Sequence, residues 1–187
     1  MRNALTALVL AAAVGAPLIA ADTFEVDQIH SSALFKVNHL GASNFWGRFN
    51  DVSGAVTWDG ADAAKSSVKI TVKADSVDTN QKDRDAHLKG PDFFNTKQFP
   101  EFSFVSKSVT KVDDKTFTVA GDLTLAGTTK PLTVTVSKVG EAEVPKFGHR
   151  LGLETSFTVK RSDFGIKGVP GVGDDVTVIF SLEGVKK

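Results

Sequence analysis

The 187-residue chain contains no cysteine, and this absence excludes several kinds of site. Thiol nucleophiles, haem groups attached through cysteine and metal centres with cysteine ligands all need a residue that the sequence lacks. Disulfides are not needed either, because a domain of this length can bury a substantial hydrophobic core.

The sequence also has no run of basic residues, and its 22 Lys and Arg are balanced by 22 Asp and Glu. A nucleic-acid-binding surface would show a basic stripe, so we expect no nucleic acid partner. The four histidines include no pair at i, i+2 or i+4, the spacings typical of metal ligands; they are His30, His39, His87 and His149. We therefore expect no metal site and no cofactor.

A catalytic motif is lacking as well. No Gly-x-Ser-x-Gly sequence is present, and a hydrolase needs a nucleophile with an orienting base and an oxyanion site. Asp85 with His87, or His39 with Asp163, would be candidate dyads, but solvated loop residues are the simpler interpretation. The chain is predicted not to be an enzyme.

The long apolar run of the chain lies at its start. A short positive segment, Met1-Arg2-Asn3, precedes an apolar stretch over 4–19 and the small pair Ala20-Ala21. This order is typical of a secretory signal peptide, and the run is short for a membrane span. We expect a signal peptide over 1–21, with an uncleaved anchor as the alternative, and one domain over 22–187. Because no lipobox cysteine follows, the expected location is the Gram-negative periplasm.

The rest of the chain alternates apolar and polar residues with a period of two. Period-two runs rich in Val, Phe and Thr predict β-strands. Eight segments show the pattern, at 32–39, 45–58, 67–77, 101–108, 116–126, 130–138, 150–161 and 175–184. Turn residues such as Asp59-Gly60, Asp113-Asp114 and Gly127-Thr128 separate some of them.

This pattern predicts an all-β fold. Eight antiparallel strands in sequence order favour a closed up-and-down barrel, because closure removes exposed edges; a β-sandwich is the alternative. The segment 78–100 is too long for a turn. Short helical stretches are expected within it at 83–89 and 92–97, with Asp83 and Asp92 as N-caps.

An eight-stranded barrel has an interior that side chains fill or that holds one small ligand. The apolar parity of the strands predicts that interior as a hydrophobic tunnel. Its candidate lining residues are Phe35, Val37, Phe49, Ile70, Val72, Phe102, Phe104, Leu123, Val134, Leu153, Phe157, Val178 and Phe180.

One end of the barrel, the upper rim, is predicted to gather the distinctive loops at 41–44, 84–89, 127–130 and 161–173. His39 and Arg161 continue the inward parity of their strands to this rim. Asp85, His87 and Asp163 lie in the loops above. Such a polar mouth over an apolar cavity suits a ligand with an apolar tail and a polar head. Alternatively, His39 and Arg161 are ordinary rim residues, hydrogen-bonded to loop carbonyls or, for Arg161, paired with Asp163 or Asp85.

Several segments resemble the YceI family of exported, polyisoprenoid-binding, lipocalin-like barrels. They are DQIHSS (27–32), FKVNHLG (35–41), GRF (47–49), DAHLKGPDFF (85–94), FPEFSF (99–104), GDLTLAGTTKP (121–131) and RSDFGI (161–166). One departure is Ala126, where the family often has a polar residue. The resemblance implies an eight-stranded antiparallel barrel whose tunnel holds a long-chain isoprenoid or quinone-like lipid.

The expected function is therefore that of a periplasmic lipid carrier. Transient contact with a membrane surface is expected of such a carrier, and the sequence does not indicate an oligomeric state. The alternative is a ligand-free barrel with a filled interior that acts in interactions or stress responses.

Overall fold

The alternating segments form eleven strands in the computed structural model, which describes residues 21–187. The strands are β1 (Asp22–Val26), β2 (Ser32–His39), β3 (Ser43–Phe49), β4 (Val52–Trp58), β5 (Ser67–Lys73), β6 (Val77–Asp78), β7 (Glu101–Lys111), β8 (Thr116–Leu125), β9 (Thr128–Val144), β10 (Gly148–Lys160) and β11 (Val172–Lys186). One α-helix is described, α1 (Lys82–Leu88), with single 3-10 turns at Ala63–Lys65, Ala74–Ser76 and Arg161–Phe164. In the described part of the chain, no helix has the length and apolar character to cross a membrane.

The eleven strands occupy eight positions of a closed antiparallel barrel. Three positions are each built from two short strands laid end to end, β1 with β2, β3 with β4 and β5 with β6. Neighbouring positions follow the chain order, and β11 closes the ring by pairing with both β1 and β2. The predicted eight-stranded up-and-down barrel is therefore confirmed, and the sandwich alternative is wrong.

Several strand and turn details differ from the prediction. The expected strand over 45–58 is two strands, because the chain leaves the ladder at Asn50, whose amide donates to the Ser76 carbonyl. Strand β1 was not predicted, since its five residues are too few to display a period. The hairpin turn between β8 and β9 is Ala126-Gly127, both at positive φ, rather than Gly127-Thr128.

The segment 78–100 also departs from its predicted caps. Helix α1 begins at Lys82, and its N-cap is Gln81, whose side chain accepts from the Arg84 amide, whereas Asp83 lies inside the first turn. Residues 92–97 form turns instead of a helix. There the Phe94 amide donates back to the Leu88 carbonyl, which folds the segment against α1.

Two layers of apolar side chains organise the barrel interior. At the lower end, a buried layer contains Phe24, Trp58, Phe117 and Leu151. The upper half is lined by strand residues, and apolar side chains of the upper loops cover it. The expected signal segment, apart from Ala21, lies outside the described residues.

A polar cluster connects the loop between β1 and β2 to strands β10 and β11. The Arg150 Nη1 donates to Asp27 Oδ2 and to Glu183 Oε1, each at 2.7 Å, and His30 Nδ1 lies 2.9 Å from Asp27 Oδ2. Asp27, His30 and Glu183 lie close enough together to resemble a metal-binding set, but Arg150 already donates a hydrogen bond to both carboxylates. Hydrogen bonds from His30 and then Arg150 lower the pKa of Asp27 from 3.8 to about 2.

The lowered pKa of Asp27 predicts a pH-dependent contribution to stability. A carboxyl with a depressed pKa stabilises the folded state above its ordinary pKa, and that stabilisation is lost as the pH falls through about 2. We expect Asp27→Asn to reduce the free energy of unfolding by about 1–2 kcal/mol near neutral pH, with the deficit shrinking in acid. Urea unfolding across the acid range measures it, and Asp83→Asn, an exposed carboxylate, is the control. A deficit independent of pH would contradict the assignment.

Candidate functional site

An apolar cavity of about 190 Å³ occupies the interior of the barrel. Alternate residues of a strand face the same side of a sheet, so the inward parity of eight strands converges on this space. All thirteen residues predicted to line a tunnel do line the cavity: Phe35, Val37, Phe49, Ile70, Val72, Phe102, Phe104, Leu123, Val134, Leu153, Phe157, Val178 and Phe180. Their contact with a ligand stays a prediction.

The cavity is closed at the lower end of the barrel. Trp58 and Phe117 meet edge to face with ring centroids 4.7 Å apart, and Leu151 and Phe24 beside them are fully buried. None of these four residues lines the cavity, so the layer they form is a floor. Any access to the cavity therefore lies in its upper half.

The sequence patterns did not predict the part of the lining that lies outside the strands. Leu88, Phe93 and Phe94 of the 78–100 segment and Ile166 after β10 complete the cavity wall. These residues have no period-two pattern, because their backbones are not extended. The feature of the sequence that could have indicated this contribution is the apolar pair Phe93-Phe94 in a mostly polar segment.

Arg161 is the one predicted mouth residue that lines the cavity. Its guanidinium donates to the carbonyls of Gly173 (3.0 Å), Ile166 (2.9 Å), Val172 (3.2 Å) and Lys167. This arrangement matches the alternative in which Arg161 is a rim residue hydrogen-bonded to loop carbonyls. Among the described residues, Arg161 makes no hydrogen bond to Asp163 or Asp85. Arg161 thus fastens the 165–173 loop to the end of β10.

The other four predicted mouth residues do not line the cavity. His39 is exposed at the end of β2, where it pairs with Val172, a residue that lines the cavity, and its inward orientation stays a prediction. Asp85 accepts from the amide and hydroxyl of Thr79 at 2.9 and 2.5 Å. His87 packs edge to face on Phe93 at 5.0 Å, and Asp163 is exposed.

The candidate dyads are not assembled in the described structure. Asp85 is held by Thr79 and His87 by the Phe93 ring, while His39 and Asp163 are both exposed side chains. Apart from Arg161, the polar residues along the cavity are Ser103, Glu154 and Thr155. The site therefore offers an apolar volume with few polar groups, which suits binding of an apolar chain.

Comparison with known proteins agrees with this geometry. The YceI-like domain family matches residues 24–184. A UPF0312 protein of Ectopseudomonas mendocina is 38% identical over 191 residues, covering 100% of both chains. The structure of Burkholderia cenocepacia BcnA superposes with a TM-score of 0.76 at 26% identity, over 84% of this chain and 98% of that one.

The same barrel occurs at lower sequence identity. A polyisoprenoid binding domain from Saccharophagus degradans, implicated in plant cell wall breakdown, gives a TM-score of 0.68 at 15% identity, over 89% of this chain and 99% of that domain. The resemblance inferred from the sequence motifs is confirmed by the family match, which covers nearly the whole described barrel. This chain belongs to the YceI-like domain family.

Proposed function

We propose that this protein binds a long-chain isoprenoid or quinone-like lipid inside its barrel and carries it across the periplasm, without catalysing a reaction. The observation that carries the proposal is the cavity, which is apolar along its length and closed below by the Trp58–Phe117 floor. The fold shared with the Saccharophagus degradans polyisoprenoid binding domain is consistent with this ligand class.

The energetics of an apolar tail favour carrying over permanent trapping. Each methylene-sized group gains about 0.8 kcal/mol when it leaves water, so a tail in this cavity is protected during transit. The gain relative to a bilayer is small, because the bilayer interior is already apolar. A tail can therefore leave the barrel again when it meets an acceptor membrane.

The size of the cavity limits how a long tail is accommodated. About 190 Å³ is less than the roughly 300–1,000 Å³ typical of ligand pockets. A long-chain lipid would need the apolar side chains above the cavity to move outward. Phe93, Phe94 and Ile166 belong to loops rather than strands, so they are the groups free to do so.

A ligand-free interaction barrel is the alternative function. Its interior would be filled by side chains, as small barrels often are. The cavity supports the carrier over this alternative, since a chain with fourteen phenylalanines has enough bulk to fill the space and does not.

Extraction of the native protein tests the proposal. We expect organic extraction of protein purified from the periplasm, followed by mass spectrometry, to release a long-chain isoprenoid or quinone. We also expect the delipidated protein to take up a prenol in a fluorescence binding assay. Finding no lipid in the extract together with no uptake would refute the carrier function, and failure of export would refute the periplasmic location.

A further inference from the structure

The hydrogen-bonded ladder between β9 and β10 covers only part of their length. Their ladder runs from Gly148 opposite Val144 to Thr155 opposite Val136 and then stops. Above that point, residues 128–135 of β9 remain paired with β8, and residues 156–160 of β10 remain paired with β11. We call the unpaired boundary between these two stretches the seam.

The cavity extends to the seam. Leu151 and Leu153, below it on β10, are 1% and 5% exposed, whereas the inward-facing Phe157 and Val159 alongside it are only half-buried. Glu154 and Thr155, at the lower end of the seam, both line the cavity. The Thr155 hydroxyl donates to the Thr135 carbonyl at 2.7 Å, which makes this hydrogen bond the latch at the end of the β9–β10 ladder.

Loop side chains cover the upper part of the seam. Phe164 and Ile166, from the segment after β10, and Phe93, from the 78–100 segment, are 4%, 5% and 9% exposed. They pack in one cluster with Leu132 of β9 and with Phe157 and Val159 of β10. The two loops meet through the Gly168 amide, which donates to the Asp92 carbonyl at 3.1 Å.

This cover can open without unfolding the barrel. Its three buried side chains stand on loops and a single 3-10 turn, so their displacement breaks no strand ladder. Loops are the elements that open at low free energy in folded proteins. By contrast, the seam edges are held on their outer sides by the full β8–β9 and β10–β11 ladders.

We infer that the seam is the lateral passage through which the lipid tail enters and leaves the cavity, with Phe93, Phe164 and Ile166 as its cover. The inference rests on the proposed function. A tail that passes sideways contacts Leu132, Phe157 and Val159 along its length. Its carbons therefore stay against apolar side chains during the passage. A tail threaded end-on from the upper rim would cross water instead, losing about 0.8 kcal/mol per exposed methylene on the way.

Cross-linking the seam tests the passage, and the absence of native cysteine makes the experiment clean. Thr133→Cys and Thr158→Cys place one exposed thiol on each edge of the seam, to be joined by a short bis-maleimide. The matched control joins Lys36→Cys to Thr177→Cys, which face each other in the continuous β2–β11 ladder. The probe is a farnesol carrying a fluorescent nitrobenzoxadiazole group, mixed with delipidated protein in a stopped-flow instrument.

We expect the seam cross-link to slow both uptake and release of the probe about tenfold or more, because passage is gated by opening. The equilibrium affinity should change little, and the control cross-link should leave the rates within about twofold. The same cysteine variants capped with a monofunctional maleimide provide the rates without a bridge. Thr155→Val, which removes the latch, should speed uptake.

An unchanged uptake rate in the cross-linked seam variant, relative to its capped form, would overturn the lateral passage while leaving the carrier function intact. Failure of the unmodified protein to bind the probe at equilibrium would instead refute the proposed function, and the passage with it. If the control cross-link slowed uptake as much as the seam cross-link does, the inference would also be overturned, because the effect would then reflect general stiffening of the barrel.

Discussion

Phe157→Lys is expected to abolish uptake of a prenol probe, whereas Thr158→Lys leaves it unchanged. Phe157 lines the cavity and belongs to the apolar cluster over its upper half. Thr158, the next residue of β10, points to solvent. An ammonium group at position 157 would be desolvated by an incoming apolar tail, at a cost of several kcal/mol. That cost corresponds to a loss of affinity of about a hundredfold or more.

Loss of the binding site can be separated from loss of the fold in this experiment. Because Phe157 is half-buried beside the seam, a lysine there can extend its ammonium to water when no tail is present. Circular dichroism and thermal unfolding should therefore show a folded Phe157→Lys protein. Phe157→Leu should retain uptake, since it keeps an apolar side chain in the cavity wall. A folded Phe157→Lys protein that binds the probe as well as the natural sequence would contradict the cavity as the binding site.

Gly54→Ala is expected to cause the largest loss of stability among single small substitutions. Gly54 lies in β4 opposite Ile70 of β5, with φ of 140°, a conformation that residues with a side chain rarely adopt. An added Cβ would lie 2.1 Å from the Lys69 carbonyl oxygen. The obstacle is backbone, so relief requires β5 to move away from β4 and weakens their ladder. We expect the free energy of unfolding to fall by about 3 kcal/mol or more.

Gly140→Ala is the matched control for this prediction. An added Cβ at Gly140 meets no atom within 4 Å, and its φ lies outside the positive range. Urea unfolding of both variants should therefore give a large deficit for Gly54→Ala and a change within about 0.5 kcal/mol for Gly140→Ala. Equal stability of the two variants would show that the β4–β5 contact yields more easily than its geometry indicates.

Sequence patterns predicted the barrel interior well because side-chain alternation is a local property. A residue in an extended chain faces the side opposite its neighbours, so parity alone separated Phe157 from Thr158 and Val134 from Thr133. The same reasoning says less where strands end. His39 follows the inward parity of Val37, but it is exposed at the end of β2 and does not line the cavity. Arg161 is held by carbonyls of a loop that parity does not describe.

The loop contribution to the site was beyond sequence reasoning for a different reason. Phe93 and Phe164 are 71 positions apart in the sequence, and they meet only because the 78–100 segment and the segment after β10 fold over the same rim. Neither residue belongs to a periodic element. Their packing depends on the path of two loops, each set by its own turns and hydrogen bonds.

The sequence by itself therefore determined the strand-rich fold class, the family and the thirteen side chains that face the interior, because alternation, composition and motif spacing are carried by each segment. Only the tertiary structure decided which strands pair along their whole length. Pairing register depends on backbone groups of distant segments meeting, and the β9–β10 ladder ends at Thr155. The floor at Trp58 and Phe117, the loop cover and the seam all follow from that assembly.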